Sequence, residues 1–200
     1  MEPEATPIPE SLRTRLLRWL FNAFPAYRGT GGRITHIAAD FSEVRVRLPL
    51  SWRTYNYHGT IFGGSMYGAV DPIHAIMLIH RLGAGHEVWV KAATVRFLKP
   101  GRTNLEARFT LDDAEVAAVR ALAAEAGALE RGYEVALVDA AGVPHGHIAV
   151  TLHVRRRPEP QAGRPPAWPA RLSGWLLGGG APGAAPPSAP EPETPRSGAV

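Results

Sequence analysis

The chain has 200 residues, 45% of them hydrophobic, and no cysteine, which allows one sizeable core and excludes disulfides, thiolate zinc sites and a cysteine nucleophile. A net charge of +4, carried almost wholly by arginine, fits an anionic ligand or a solvated basic surface. No Lys/Arg run interleaved with aromatics points to nucleic acid, so no nucleic-acid partner is expected.

The first residues, MEPEATPIPE, place acids and prolines where a signal peptide has a basic region and an apolar core. They predict a flexible N-terminus over residues 1–9, no export signal and a cytoplasmic location. Residues 10–24 read as a helix, with Leu12, Leu16, Trp19, Leu20, Ala23 and Phe24 at three- and four-residue spacing and Pro25 to end it. Arg13, Arg15 and Arg18 take the other faces. Docking onto its own domain is the expected arrangement for this helix, although a basic amphipathic helix can also lie on a membrane. Strands are predicted over 33–39 and 43–50, the second alternating Val44, Val46 and Leu48 against Arg45, Arg47 and Pro49.

A helix from near Ile61 to Arg81 follows, apolar on all sides and therefore buried on all sides. Asp71, Pro72 and His74 at its middle, and the strands around it, argue against a membrane span. Strands over 87–97 and 102–111, punctuated by Lys99-Pro100-Gly101, predict a hairpin. Residues 113–129 predict a helix opened by Asp112-Asp113-Ala114-Glu115 and closed by Gly127, and two strands over 133–139 and 145–155 complete the domain. More than half of the chain's 19 prolines lie beyond Arg157, so residues 157–200 predict a Pro/Gly/Ala-rich disordered tail behind a domain spanning 10–156. Trp168, Leu172, Trp175, Leu176 and Leu177 form a small apolar patch within it.

The chemistry concentrates in NYHGTIFGGSMYGAVD, residues 56–71. Gly59, Gly63, Gly64 and Gly68 allow close approach of a backbone or a ligand. With a helix wrapped by a sheet, Asn56, Gly59, Gly63, Gly64 and Asp71 in this order and spacing resemble the hotdog-fold thioesterases, particularly the phenylacetyl-CoA thioesterase-like branch. GGSMYGAVDP followed by VWVKAATVRFLKPGR is similar to an uncharacterised hotdog family. The resemblance implies an α+β fold with an antiparallel sheet around a long central helix, and a homodimer or dimer of dimers with sites between subunits. It also implies an acyl-CoA substrate, coenzyme A entering as part of the substrate and no separate cofactor. One departure stands out: the branch usually has His before the two glycines, where it is taken to hold or polarise the thioester, and this chain has Phe62.

The residues themselves support a compatible chemistry. N–H groups of Gly63 and Gly64 in a first helical turn can receive an oxygen gaining negative charge. Asp71 is the candidate base or nucleophile, with a pKa expected to rise on burial, and Asn56 can orient water or the carbonyl. Gly59, Phe62, Gly64, Ser65 and His58 are candidate substrate-binding residues of the loop and helix start, while Lys91, Arg96, Lys99 and Arg102 could meet coenzyme A phosphates. No histidine grouping (His74 and His80, or His145 and His147) gains a third ligand at metal-binding spacing, so no metal is expected. Eight residues of helix put Gly63 and Asp71 about 12 Å apart along the axis, too far to act on one carbonyl. A two-fold pair would bring Gly63 of one chain to Asp71 of the other. Pro72 bends the helix, either to present Asp71 to that interface or to follow a curved sheet. An acyl-CoA thioesterase is the leading expectation; a catalytically weak module that binds acyl-CoA or an acyl chain is the alternative.

Overall fold

A computed structural model describes residues 8–157. The tail expected from 157 onward, with its tryptophan patch, and residues 1–7 lie outside the described residues, Arg157 excepted. Eleven elements follow in order: α1 (Leu12–Ala23), α2 (Pro25–Thr30), β1 (Arg33–Ile37), β2 (Glu43–Leu48), α3 (Gly63–Val70), α4 (Ile73–Leu82), β3 (His86–Phe97), β4 (Leu105–Thr110), α5 (Asp113–Ala126), β5 (Ala128–Val138) and β6 (Pro144–Arg156).

The six strands form one sheet in the order β1-β2-β4-β5-β6-β3, every pair antiparallel. Alternation sorts its faces: Leu105, Ala107 and Phe109 of β4 are buried while Glu106, Arg108 and Thr110 are exposed. Val44, Val46 and Leu48 of β2 and Ile148, Val150, Leu152 and Val154 of β6 complete the inner face, and Met66, Val70, Ile73, Met77 and Leu78 of α3 and α4 join them in the core. The expected sheet wrapped around a long central helix is thus the observed fold.

Four features depart from the sequence reading. First, 87–97 and 102–111 do not form a hairpin. β3 pairs with β6, and β4 with β2. The 98–104 link crosses between them, fastened where Leu98 and Lys99 N–H donate to the His145 carbonyl and where Gly101 O accepts from Ile61 N–H at 2.8 Å. Turn residues mark where a strand stops and carry no information on which strand it will pair with. Second, Pro25–Thr30 forms the extra helix α2 and β5 starts at Ala128.

Third, the central helix is interrupted at Asp71-Pro72. Pro72 lacks the N–H that would bond Gly68 O, and its ring crowds that carbonyl. The break is braced from outside: the buried Tyr27 hydroxyl donates to Ala69 O at 3.0 Å. Contact here is backbone-close, because a Cβ on Gly32 would lie 2.7 Å from the Ala69 Cβ. Fourth, α1 docks with the face opposite to the one its apolar spacing suggested. Thr14 is buried and Leu17, Phe21 and Phe24 pack on the core, whereas Leu12, Leu16 and Trp19 are exposed. Asn22 holds both N–H and C=O of Ile34 at 2.8 Å, and Glu10 Oε1 accepts from Ile37 N–H at 3.0 Å, so α1 and the segment before it cap the outer edge of β1.

Tyr27→Phe leaves the Ala69 carbonyl buried without its donor and is expected to lower unfolding free energy by about 1–3 kcal/mol. Urea denaturation of the variant checks this; an unchanged midpoint would mean that the helix break needs no brace.

Candidate active site

The site is built by a loop that folds back on Asn56. Its Oδ1 accepts from His58 N–H at 2.9 Å and from Thr60 N–H and Oγ1–H at 3.2 Å, while Asn56 N–H donates to Thr60 O at 2.7 Å. Gly59 turns the loop at φ +69°, a left-handed conformation that glycine adopts without strain. Phe62 N–H then donates to Thr54 O at 2.7 Å, and α3 begins at Gly63. The Asn56 side-chain oxygen is therefore engaged in shaping the loop that leads into α3. His58 stands exposed at the loop tip, its ring edge-on to Tyr57.

Phe62 occupies the N-cap of α3 and offers its first-turn N–H groups no side-chain acceptor. Those donors point out of the helix with its positive dipole end behind them. Two aromatic rings lie over the same turn. A Cβ on Gly63 would come within 2.7 Å of the Phe97 ring, and one on Gly64 within 2.3 Å of the Phe62 ring. Glycine at both positions is what admits the rings. Ser65, in the same turn, is buried.

Asp71 closes α3 at its other end, half-buried and held by the Tyr67 hydroxyl, which donates to Oδ1 at 2.6 Å. That hydrogen bond, with burial adding to it, pushes the Tyr67 pKa up to about 12, so Tyr67 stays protonated and keeps donating at neutral pH. Neither this tyrosine nor its role follows from composition, although its spacing four residues before Asp71 puts both on one helix face. Within one chain Gly63 and Asp71 stay a helix length apart, as the spacing requires.

Lys91 and Arg96 do not approach the glycine turn. Arg96 registers with His147 on the outer face of the sheet, and Lys91 is ion-paired with Glu130. Phe97, against Gly63, projects from the inner face. Lys99 and Arg102 are exposed on the link bonded to Ile61, which makes them the cations beside the loop. His145 anchors this link: buried, its Nδ1 meets Pro100 O at 3.0 Å and its Nε2 meets Asp139 Oδ2 at 3.1 Å. Both ring nitrogens face acceptors, and the bond to His145 leads the causes that hold Asp139 below the usual carboxylate range.

A cavity of about 470 Å³ opens elsewhere, between α5 and β5, lined by Glu115, Arg131 and Tyr133 among others. Its polar groups satisfy one another: Arg131 reaches both Glu115 oxygens and Tyr133 donates to Oε1. It serves as a clasp between helix and sheet. Among the described residues no group of three or more His, Asp or Glu could hold a metal ion, and no helix is long and apolar enough to cross a membrane.

An antiparallel sheet wrapped on a central helix, with a glycine turn at the helix start, defines a hotdog fold. Residues 13–154 match the domain of unknown function DUF4442, and the chain belongs to that family. Solved structures share the fold. A protein of unknown function from Pseudomonas aeruginosa, a probable thioesterase, superposes with TM-score 0.65 at 22% identity over 76% of this chain and 100% of its own. A Haemophilus influenzae thioesterase gives TM-score 0.56 at 16% identity over 78% and 99%. The E. coli PaaI protein from the phenylacetic acid degradation operon gives 0.50 at 14% over 72% and 92%. No curated protein matches the sequence.

Gly63→Ala is expected to cost about 1–3 kcal/mol by forcing its methyl into the Phe97 ring. Phe97→Ala in the same chain should recover most of that loss, and additive costs in the double-mutant cycle would count against this contact. A second expectation concerns His74, buried between Tyr133 and Phe109, where burial pushes its pKa down to about 4. The unfolded chain, with His near its ordinary value, binds the extra proton between these two pKa values, so stability is full above the unfolded pKa and falls as pH drops toward the folded one. Acidification from about pH 7 to pH 5 should therefore cost roughly 1–2 kcal/mol, and His74→Gln should flatten that slope in thermal melts.

Proposed function

We propose that the protein is an acyl-CoA thioesterase whose two reaction sites lie across a two-fold interface between chains. The observation that carries this reading is the division of labour on α3: bare N–H donors at Gly63 and Gly64, and a tyrosine-held carboxylate at Asp71 one helix length away. Each end is half of a site. The treatment of the sheet edges supports the pairing. β1 is capped by Asn22 and Glu10, whereas no comparable side-chain cap is made to β3 among the described residues, and Trp89 and Phe97 of β3 are exposed with Leu98 just beyond. A long bare edge of this kind is stable when another strand completes it. A homodimer, or a pair of such dimers, is the assembly this edge fits.

In the reaction, the thioester carbonyl oxygen takes the N–H groups of Gly63 and Gly64 of one chain. Asp71 of the other chain removes a proton from water, which adds to the carbonyl carbon, or adds to that carbon itself and is then released by water. The oxyanion reforms the carbonyl as the C–S bond breaks, and the leaving thiolate takes up the proton that Asp71 or the attacking water gives up, so that the free acid and the coenzyme A thiol are the products. Tyr67 keeps Asp71 aimed. Lys99 and Arg102, exposed on the link bonded to Ile61, are the cations assigned in this reading to the nucleotide phosphates, ahead of Lys91 and Arg96. Coenzyme A is part of the substrate, and the chemistry calls for no metal.

One observation favours the second reading, a hotdog module that binds acyl-CoA or an acyl chain with little turnover. Phe62 stands where the thioesterase branch has histidine, and with Phe97 it lays an apolar cover on the donor turn.

Release of coenzyme A from short, long and aromatic acyl-CoAs separates the two. Native protein is expected to turn over at least one thioester, and Asp71→Asn to lose about a hundredfold or more of that rate at unchanged fold and dimer content. Turnover at background for both proteins, with acyl-CoA still raising the melting temperature, would overturn the enzyme in favour of the binder.

A further inference from the structure

We infer that α1 is a membrane-surface helix, docking the domain on anionic lipid through the face it turns away from the core. The helix carries apolar residues on two opposite sides. Thr14, Leu17 and Phe21 face β1 and the core. Leu12, Leu16 and Trp19 lie about 180° around the axis from them, 83%, 59% and 63% exposed. Spaced by four and then three residues, these three form one continuous stripe, and Ala23, also exposed, extends it by another turn.

The charges beside the stripe select its occupant. At the helical angle, Arg15 falls on one flank of the stripe and Arg13 on the other. Arg18, nearer the core side, is neutralised by Glu10 at 2.8 Å. Neither Arg13 nor Arg15 has a carboxylate partner among the described residues. Arg13 meets only the His80 ring, at 3.4 Å, and burial and the Arg13 charge push His80 down to about 4, so that contact stays uncharged on the histidine side. The first turn of α1 holds no acid. An outward stripe of leucine and tryptophan between two unpaired arginines matches a layer whose headgroups are anionic and whose interior is apolar; tryptophan settles at the boundary between the two. A protein surface with acidic residues would satisfy the arginines but would have to bring its own apolar groove.

The docking geometry also fits. A helix pinned to its domain through one side by Asn22 and the core contacts cannot insert end-on. It presents its stripe lying flat, as interfacial helices do.

The test is co-sedimentation of the full chain with vesicles of phosphatidylserine and phosphatidylcholine in equal parts, against phosphatidylcholine alone. Binding is expected to the anionic vesicles and to fall as salt rises. The double variant Leu16→Glu with Trp19→Glu should abolish it, and Arg13→Glu with Arg15→Glu should weaken it by at least about tenfold. All four positions are exposed, so the circular dichroism spectrum and melting temperature should stay near those of the native chain; Leu12→Ser with Trp19→Ser is the milder pair if they do not. Because the chain lacks cysteine, Leu16→Cys gives a single thiol for an environment-sensitive fluorophore, which should shift to the blue on anionic vesicles. Absence of sedimentation, or sedimentation unchanged in the glutamate variants, overturns the proposal. So does the finding that the Leu16→Cys thiol couples two chains and its variants only lower the oligomeric order, which would assign the stripe to a second copy.

Discussion

The interruption of the central helix at Asp71-Pro72 is the constraint on which the rest of the structure turns. A proline inside the central helix leaves the Gly68 carbonyl without its helical donor. The chain braces the turn beside the freed Gly68 carbonyl: the Tyr27 hydroxyl donates to the neighbouring Ala69 O, and that brace requires α2 to lie against α3. Gly32 and Gly68 exist where they do because this approach leaves no room for a Cβ next to Ala69 and Thr30. The same interruption places Asp71 at a helix end, half-exposed and within reach of Tyr67. The break at Asp71-Pro72 thus goes together with the position of α2, the lack of a side chain at Gly32 and Gly68 and the accessibility of the candidate carboxylate.

Much of this was legible in the sequence, because period and burial are coupled. The strands announce themselves by alternation, β2 and β4 most clearly, and a helix apolar all round had to be wrapped. The spacing of Gly63 and Asp71 sufficed to set them at opposite ends of α3. What escaped was long-range partnership. The link through Lys99-Pro100-Gly101 reads locally as a hairpin, yet β3 goes to β6 because His145 and Ile61, distant in sequence, hold the link as it crosses. Helix α1 misled for a related reason: it is apolar on two faces, and spacing alone cannot say which one meets the core. Asn22 and Glu10, polar residues that carry no periodic signal, decide it by bonding the β1 edge.

The two edges of the sheet have opposite fates, and this asymmetry bears on assembly. Asn22 and Glu10 bond one edge strand, and among the described residues no side chain does the same for the other. β3 is also the strand that puts Phe97 against Gly63, so whatever pairs with it lies beside the glycine turn. Under the thioesterase reading the interface and the site are then one feature: completing the strand edge and completing the catalytic pair become the same event.

Phe62 sharpens the question of how such a site polarises a thioester. A histidine before the glycines would supply a movable proton; phenylalanine supplies none, and it and Phe97, each more than half exposed, lie against the glycines as an apolar rim. Under the thioesterase reading the backbone N–H groups of the first turn are the electrostatic partners of the oxyanion, and they act more strongly once bound substrate and a second chain exclude water from them. The proton transfers cannot be shared in this way. Under the thioesterase reading they fall on Asp71 alone, with Tyr67 protonated beside it and therefore able to orient the carboxylate but not to accept a proton from water. A site so arranged stabilises a tetrahedral oxyanion better than it moves protons, and its turnover should be governed by the freedom of that one carboxylate.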